Sequence, residues 1–350
     1  MAGNGRKGAE MRIILGAIVA GLLAWTGWWF FAADRVETGT GDFLAGLTAR
    51  GYSVRHGEVD VSGYPYRFDL WVETPEIATP DGRIAWAAPE VRVQALAYEP
   101  THLIATLPPQ QALSLGDTRL DITASRMQAS LRTDMARTLP LDHMTLEAEG
   151  LGIAADAGWG LAAEKAILAT RRSQMTGAAP NAHDVVLTVA GFTPDAGLRA
   201  RIDPQQRMAA EIGPLNVDAT VTLDAPVDRM MFEPEARLPE LQRLDLRDGS
   251  LVWGDSRIEI SGSLDFGPSG LAEGSLHLNV AGWQAILNLA VSLGLVPEGQ
   301  RRTVEQGMRL LEATQFGPRT LDLTLPVREG VVLLGPLPVA TLPRALRQPG

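Results

Sequence analysis

The sequence predicts a mainly β fold: an extended curved antiparallel sheet or a β-sandwich-like architecture with short helices, preceded by one transmembrane helix. Three observations carry this. Residues Ile13 to Ala33 form a 21-residue run without a charged side chain. Beyond it, short segments alternate apolar and polar residues with the period of two that a strand imposes. Those segments are separated by turn formers drawn from 36 glycines and 23 prolines, a spacing that suits an antiparallel sheet rather than a parallel dinucleotide-binding fold.

The uncharged run is IILGAIVAGLLAWTGWWFFAA. At about 1.5 Å per residue it spans a hydrocarbon core about 30 Å thick, and as a helix it closes its backbone hydrogen bonds internally. Arg6, Lys7 and Arg12 precede it, and Asp34 and Glu37 follow. The positive flank predicts a cytoplasmic tail over 1–12 and a C-terminal region across the membrane. Trp25, Trp28 and Trp29 sit toward the outer end, at the level where tryptophan favours the lipid–water interface. The competing reading is a cleaved signal peptide ending near Ala32–Ala33. Its apolar region runs only about 7–15 residues, so an uncleaved anchor over 13–33 is expected. No later segment has comparable apolar length.

Residues 34–50 read as a short amphipathic helix, with Phe43, Leu44 and Leu47 on one side and Gly51 as its stop. Gly63-Tyr64-Pro65-Tyr66 reads as a turn or edge bulge. Phe68, Leu70 and Val72 then alternate with Arg67, Asp69, Trp71 and Glu73 as one strand. Further strands are expected at 84–86, 91–97, 103–107, 118–124, 128–132, 141–148, 159–169 and 184–190. The series continues through 215–223, 241–247, 250–253, 257–266, 274–281, 322–325 and 331–333. Residues 171–183 and 193–214 read as connections, and a division into two subdomains is placed near the first. Trp283 to Leu295 places Ile286, Leu289, Ala290 and Leu293 at helical spacing, and a second helix is expected over 298–313, after Pro297. Gly249, Gly262 and Gly274 are read as turn glycines. Residues 346–350 form a tail.

Composition excludes several functions. With 45% hydrophobic and 21% charged residues the chain is not disordered. Lysine plus arginine number 31 against 41 acids, a net charge of −10, so no basic surplus serves nucleic acid. The absence of cysteine excludes disulfides and thiolate metal centres. There is no HExxH, Walker loop or GxSxG elbow. The Asp142–His143 and His183–Asp184 neighbours should point to opposite sides of a strand. No enzymatic activity, cofactor or metal is therefore expected.

The densest local constellation is Tyr64, Pro65, Tyr66, Arg67, Phe68 and Asp69. It is either a contact for lipid headgroups or a partner near the membrane, or a turn whose aromatic rings lock a sheet edge. With the N-terminal anchor, GYPYRFDL at 63–70 resembles the DUF2125 family of bacterial membrane-anchored proteins. The repeated glycine–leucine strands (249–253, 260–266 and 274–280) and the 325–337 segment make the chain similar, more broadly, to AsmA-like periplasmic proteins. The resemblance covers residues 11–345. It implies a single-pass bacterial inner-membrane protein with a periplasmic β-rich region over 34–345. It also implies a curved sheet with an apolar inner surface and a non-enzymatic role in binding or guiding lipids or assisting cell-envelope assembly. Membrane lipids and an envelope protein are the partners it suggests. A structural module positioning an envelope complex is the alternative, and a dry-cored sandwich would produce the same alternation.

Overall fold

The computed structural model describes residues 4–204, 209–233, 236–292, 296–314 and 320–345. It opens with α1 (Asn4–Ala49). The apolar run and the amphipathic segment expected after it are thus one continuous helix. No proline interrupts residues 34–49, and Trp29, Ala33, Leu44 and Leu47 are buried along one side of it. That packing holds Gly39 and Gly41 helical despite their low propensity. Gly51, at φ +86°, ends the helix as expected.

All twenty-one strands join one antiparallel sheet among the described residues. The first strands come in broken pairs: β1 (Ser53–Arg55) with β2 (Val59–Ser62), and β3 (Arg67–Glu73) with β4 (Glu76–Ala78). Next come β5 (Ile84–Ala87) with β6 (Glu90–Leu96), and β7 (Glu99–Leu107) with β8 (Gln110–Leu115). The last such pair is β9 (Thr118–Thr123) with β10 (Arg126–Thr133). The breaks line up into a seam across the sheet. Proline causes much of it, because Pro75, Pro89 and Pro109 have no N–H for the ladder but still accept from a neighbour. Thr74 N–H donates to the Pro89 carbonyl (2.9 Å), Ala88 N–H to Pro75 (3.1 Å) and Ala124 N–H to Pro109 (2.9 Å). The long β11 (Leu141–Ala155) gathers both sides of the seam, pairing with β10 through 141–149 and with β9 through 152–155.

From there the chain continues as hairpins: β12 (Trp159–Arg172), β13 (Ala182–Ala190), the short β14 (Thr193–Pro194), β15 (Leu215–Leu223) and β16 (Leu241–Trp253). β17 (Ser256–Phe266), β18 (Ala272–Ala281), β19 (Thr320–Arg328), β20 (Val331–Leu334) and β21 (Leu337–Thr341) complete it. Residues 173–181 form the turn between the paired β12 and β13. The two strands expected at 241–247 and 250–253 are one, because an irregular register between Leu246 and Gly249 absorbs the break in alternation. Within 193–214, Asp195 caps α2 (Ala196–Ile202) by accepting from Leu198 N–H (2.7 Å). β4, β8, β14 and β21 escaped the sequence pattern, being short or without clean alternation, and β1 and β2 alternate only imperfectly.

Two further helices, α3 (Trp283–Ser292) and α4 (Arg301–Thr314), cover one face of the last strands. Residues 293–295 of the expected first helix lie outside the described residues. The largest buried cluster lies beneath the pair: Leu276, Val280, Trp283, Leu287, Leu321, Leu323, Leu325 and Val327. At roughly 2 kcal/mol for each fully buried large aliphatic side chain, this cluster dominates the folding of the C-terminal end.

The three glycines expected in turns lie inside β16, β17 and β18 instead. Gly262 and Gly274 adopt φ values of +145° and +150°. A Cβ at Gly262 would sit 2.2 Å from the Ser275 carbonyl oxygen, and one at Gly274 would sit 2.1 Å from that of Ser263. These glycines let two neighbouring backbones approach where no side chain fits. Gly262→Ala and Gly274→Ala should each cost about 1–3 kcal/mol in urea unfolding. Gly299→Ala, where a Cβ meets nothing within 4 Å, should stay within about 0.5 kcal/mol of the parent.

Candidate functional site

The aromatic middle of α1, Trp25 to Phe31, and the first long hairpin bind each other. Trp25 donates its indole N–H to the Pro65 carbonyl and Trp29 donates to the Arg67 carbonyl, both at 3.1 Å. The Thr26 hydroxyl donates to Leu22 (2.7 Å) and so keeps a lone pair for the Tyr64 hydroxyl, 2.7 Å away. Phe68 stacks on Trp29 at 5.5 Å between centroids, and Tyr64 stacks on Phe30 at 5.7 Å. The Tyr64–Pro65 peptide is cis. Trp29, Ala33, Phe68 and Ala97 form a small buried cluster at this junction.

The constellation expected at 64–69 therefore divides. Phe68 is buried, Tyr64 and Pro65 face the helix, and Tyr66 stands 71% exposed. Arg67 pairs with Asp69 at 2.7 Å, because residues two apart in a strand share a face. Gln94 donates to the same carboxylate (3.0 Å). The tryptophans divide as well: Trp28 is exposed but has its ring against Trp25 (4.9 Å) and beside Phe68 (6.2 Å), whereas Trp29 is buried against Phe68 and Trp25 is half-buried.

The sheet carries a second feature, visible only once register is known. One cross-strand row runs Val61–Leu70–Val93–Ala105–Ala129–Leu146–Leu168–Leu187–Val217–Gly249–Ile260–Leu278–Leu323 without a polar side chain. The next row on that face begins Phe68–Ala95–Leu103–Leu131–Met144 and is interrupted only by Thr170 before reaching Leu325. The row that flanks the first one on the opposite face contains Gln128, Glu147, Thr188, Asn216, Ser250, Glu259, Asn279 and Asp322, with Ile167 among them. The sheet is amphipathic across its whole width. α1 covers the start of the apolar face at Val61 and Phe68, while α3 and α4 cover its end. Between them Val93, Ala105, Ala129, Leu146, Leu168, Leu187 and Val217 remain half-buried.

The polar face holds an ion-pair cluster over β12, β13, β15 and β16. Buried Asp184 accepts from Thr220 (2.9 Å) and Arg247 (3.3 Å) and lies 3.5 Å from Arg171. Arg247 also bonds Asp218. Arg171, Asp184, Asp218 and Arg247 line, with His143, Thr145 and Met175, an open depression of about 670 Å³. Burial alone would raise the Asp184 pKa, but the hydroxyls of Thr220 and Ser173 and the Arg247 guanidinium outweigh it and hold the carboxyl below its ordinary value. Burial, then the nearby Arg172, lowers the pKa of His183, whose Nδ1 has no hydrogen-bond partner.

His183 and Asp184 occupy successive strand positions, whereas Asp142 and His143 do not separate as expected. Their side chains meet at 3.0 Å at the start of β11, where both are half exposed and able to turn toward each other. Among the described residues no group of three or more histidine or acidic side chains converges to hold a metal.

Two tests follow from this geometry. Phe68→Ala should cost about 3 kcal/mol, read as faster hydrogen–deuterium exchange in β2 and β3 with β17–β19 unchanged. Because the fold favours the charged form of Asp184, its contribution is complete above the ordinary carboxylate range and is lost as pH falls through the depressed value. Asp184→Asn should therefore destabilise the protein at neutral pH and flatten the acid limb of its stability profile below about pH 4.

No curated protein matches this chain, and no solved structure matches it. The family model described as "Uncharacterized protein conserved in bacteria (DUF2125)" matches residues 29–343, a span that takes in the buried Trp29, the hairpin and the whole sheet. On that match the chain belongs to the DUF2125 family.

Proposed function

We propose that this protein is a membrane-anchored, non-enzymatic lipid-binding protein whose apolar sheet face receives or guides acyl chains. The observation that supports this reading is the half-buried apolar band from Val93 to Val217, which lies between two helix-covered ends. Acyl chains gain free energy from burial without directional partners, at about 25 cal/mol per Å² of apolar surface. An uninterrupted row of Leu, Val and Ala lets a chain shift along the face without crossing a polar group. The resemblance to AsmA-like proteins agrees with that use. α1 supplies the attachment, since it is the described helix long and apolar enough to cross a bilayer. The basic residues before it favour a cytoplasmic N-terminus in a bacterial inner membrane and a periplasmic sheet.

A second reading takes the opposite face as a contact for an envelope protein. It rests on the depression around Arg171, Asp184 and Arg247, where charged groups are already fixed in place.

The two readings separate by experiment. Native mass spectrometry of the purified full chain should detect bound phospholipid, and Leu168→Asp with Leu187→Asp should abolish it while far-ultraviolet circular dichroism stays unchanged. A chain that carries no lipid and pairs face to face as a dimer in light scattering would overturn the lipid reading. Recovery of one envelope protein by crosslinking at Met175, lost on Arg247→Ala, would favour the second.

A further inference from the structure

The contact between α1 and the first hairpin fixes a depth. Trp25, which binds the Pro65 carbonyl, lies nine residues before Asp34, the first charge after the apolar run. That separation is roughly 13 Å along a continuous helix. The turn at 63–66 is therefore held beside the apolar part of α1 and not beyond its end. A water-soluble hairpin at that level would have to end in polar side chains. This one ends in Tyr64 and Tyr66, 48% and 71% exposed. The neighbouring hairpin brings Tyr98 to the same end of the sheet: Ala97 N–H donates to the Tyr66 carbonyl (2.9 Å), and Tyr98 is 73% exposed. Phe30 and Phe31 are each 59% exposed on the adjoining helix surface, and Arg35 lies over the Phe31 ring at 5.3 Å. Aromatic rings with a hydroxyl at one end, backed by a cation, match the boundary between acyl chains and headgroups.

We infer that the 63–66 and 97–98 hairpin tips are seated in the bilayer, with Tyr66 and Tyr98 in the headgroup layer of the leaflet at the C-terminal end of the α1 span. The sheet is then partly immersed and does not hang from a tether. Its apolar rows begin at Val61, Phe68 and Leu70, directly above those tips, so the apolar face opens at the level of the lipids themselves. The inference rests on α1 crossing a bilayer, which the proposed function shares.

The chain has no cysteine, so single labelling sites are clean. Tyr66→Cys, Tyr98→Cys and, in the exposed β8–β9 turn at the opposite end of the strands, Asp117→Cys are each labelled with a polarity-sensitive fluorophore. The full chain is reconstituted in phosphatidylethanolamine–phosphatidylglycerol vesicles. Labels at 66 and 98 should shift to the blue, be quenched by lipids carrying a nitroxide near the headgroup, and be shielded from aqueous iodide. The label at 117 should show none of these. If the labels at 66 and 98 match the one at 117, the inference falls. Repeating the measurement in the Leu168→Asp/Leu187→Asp background, with bound lipid read by native mass spectrometry of the same protein, separates it from the lipid-binding reading. Shielding retained without bound lipid supports the immersed hairpins alone, whereas bound lipid with water-exposed tips overturns them alone.

Discussion

Register is the constraint on which the rest of this structure depends. Side chains in a strand alternate between faces, so a slip of one residue in any pair would turn all later apolar side chains to the other side. Here the pairing keeps Leu, Val and Ala in step from β2 to β19, along one side of the proline seam and past the irregularity in β16. At the seam the proline carbonyls still accept from the adjacent strand, so the two sides stay joined. Gly262 and Gly274 serve the same end from within β17 and β18. They permit close backbone approach without displacing the rows.

An amphipathic sheet of this width has a problem that its helices address in part. A face of aliphatic side chains must meet something other than water. At the C-terminal end α3 and α4 meet it, and Trp283 and Leu321 are almost completely buried there. At the N-terminal end the aromatic part of α1 does so through Trp29 and Phe68. The central strands have no such cover, and their apolar side chains stay half-buried. The charges on the other face are paired with one another, as Arg243 is with Asp245 and Asp265. Such exposed pairs keep a surface solvated but contribute little stability, so the sheet is held mainly by its backbone ladder and its two covered ends.

Much of this was legible in the residues. The uncharged run, the strand alternation and the helix at Trp283 follow from periodicity, and these determine the β class. The continuity of α1 was not legible, because the uncharged run ends at Ala33 and the amphipathic pattern of 34–50 reads as a separate helix, whereas the buried stripe through Trp29, Ala33, Leu44 and Leu47 joins them. Glycines inside strands read as turns, since a residue that allows close backbone approach looks like one that allows reversal. The tyrosine–proline motif stood out locally, and the tryptophans of the apolar run stood out separately. Their contact is tertiary, as are the Asp184–Arg247 cluster and the cross-strand rows, and spacing along one chain does not encode it.

The strand order carries a consequence of its own. Apart from the short β14, each long strand finds its partners in the chain segments immediately before and after it, with β18 and β19 separated only by the helical cover. Such an architecture is nearly one-dimensional. A chain emerging N-terminus first offers each new hairpin an edge already in place, so assembly proceeds outward from α1 without awaiting distant segments. The same property makes length a free variable: adding or removing a hairpin lengthens or shortens the sheet and leaves both covered ends intact.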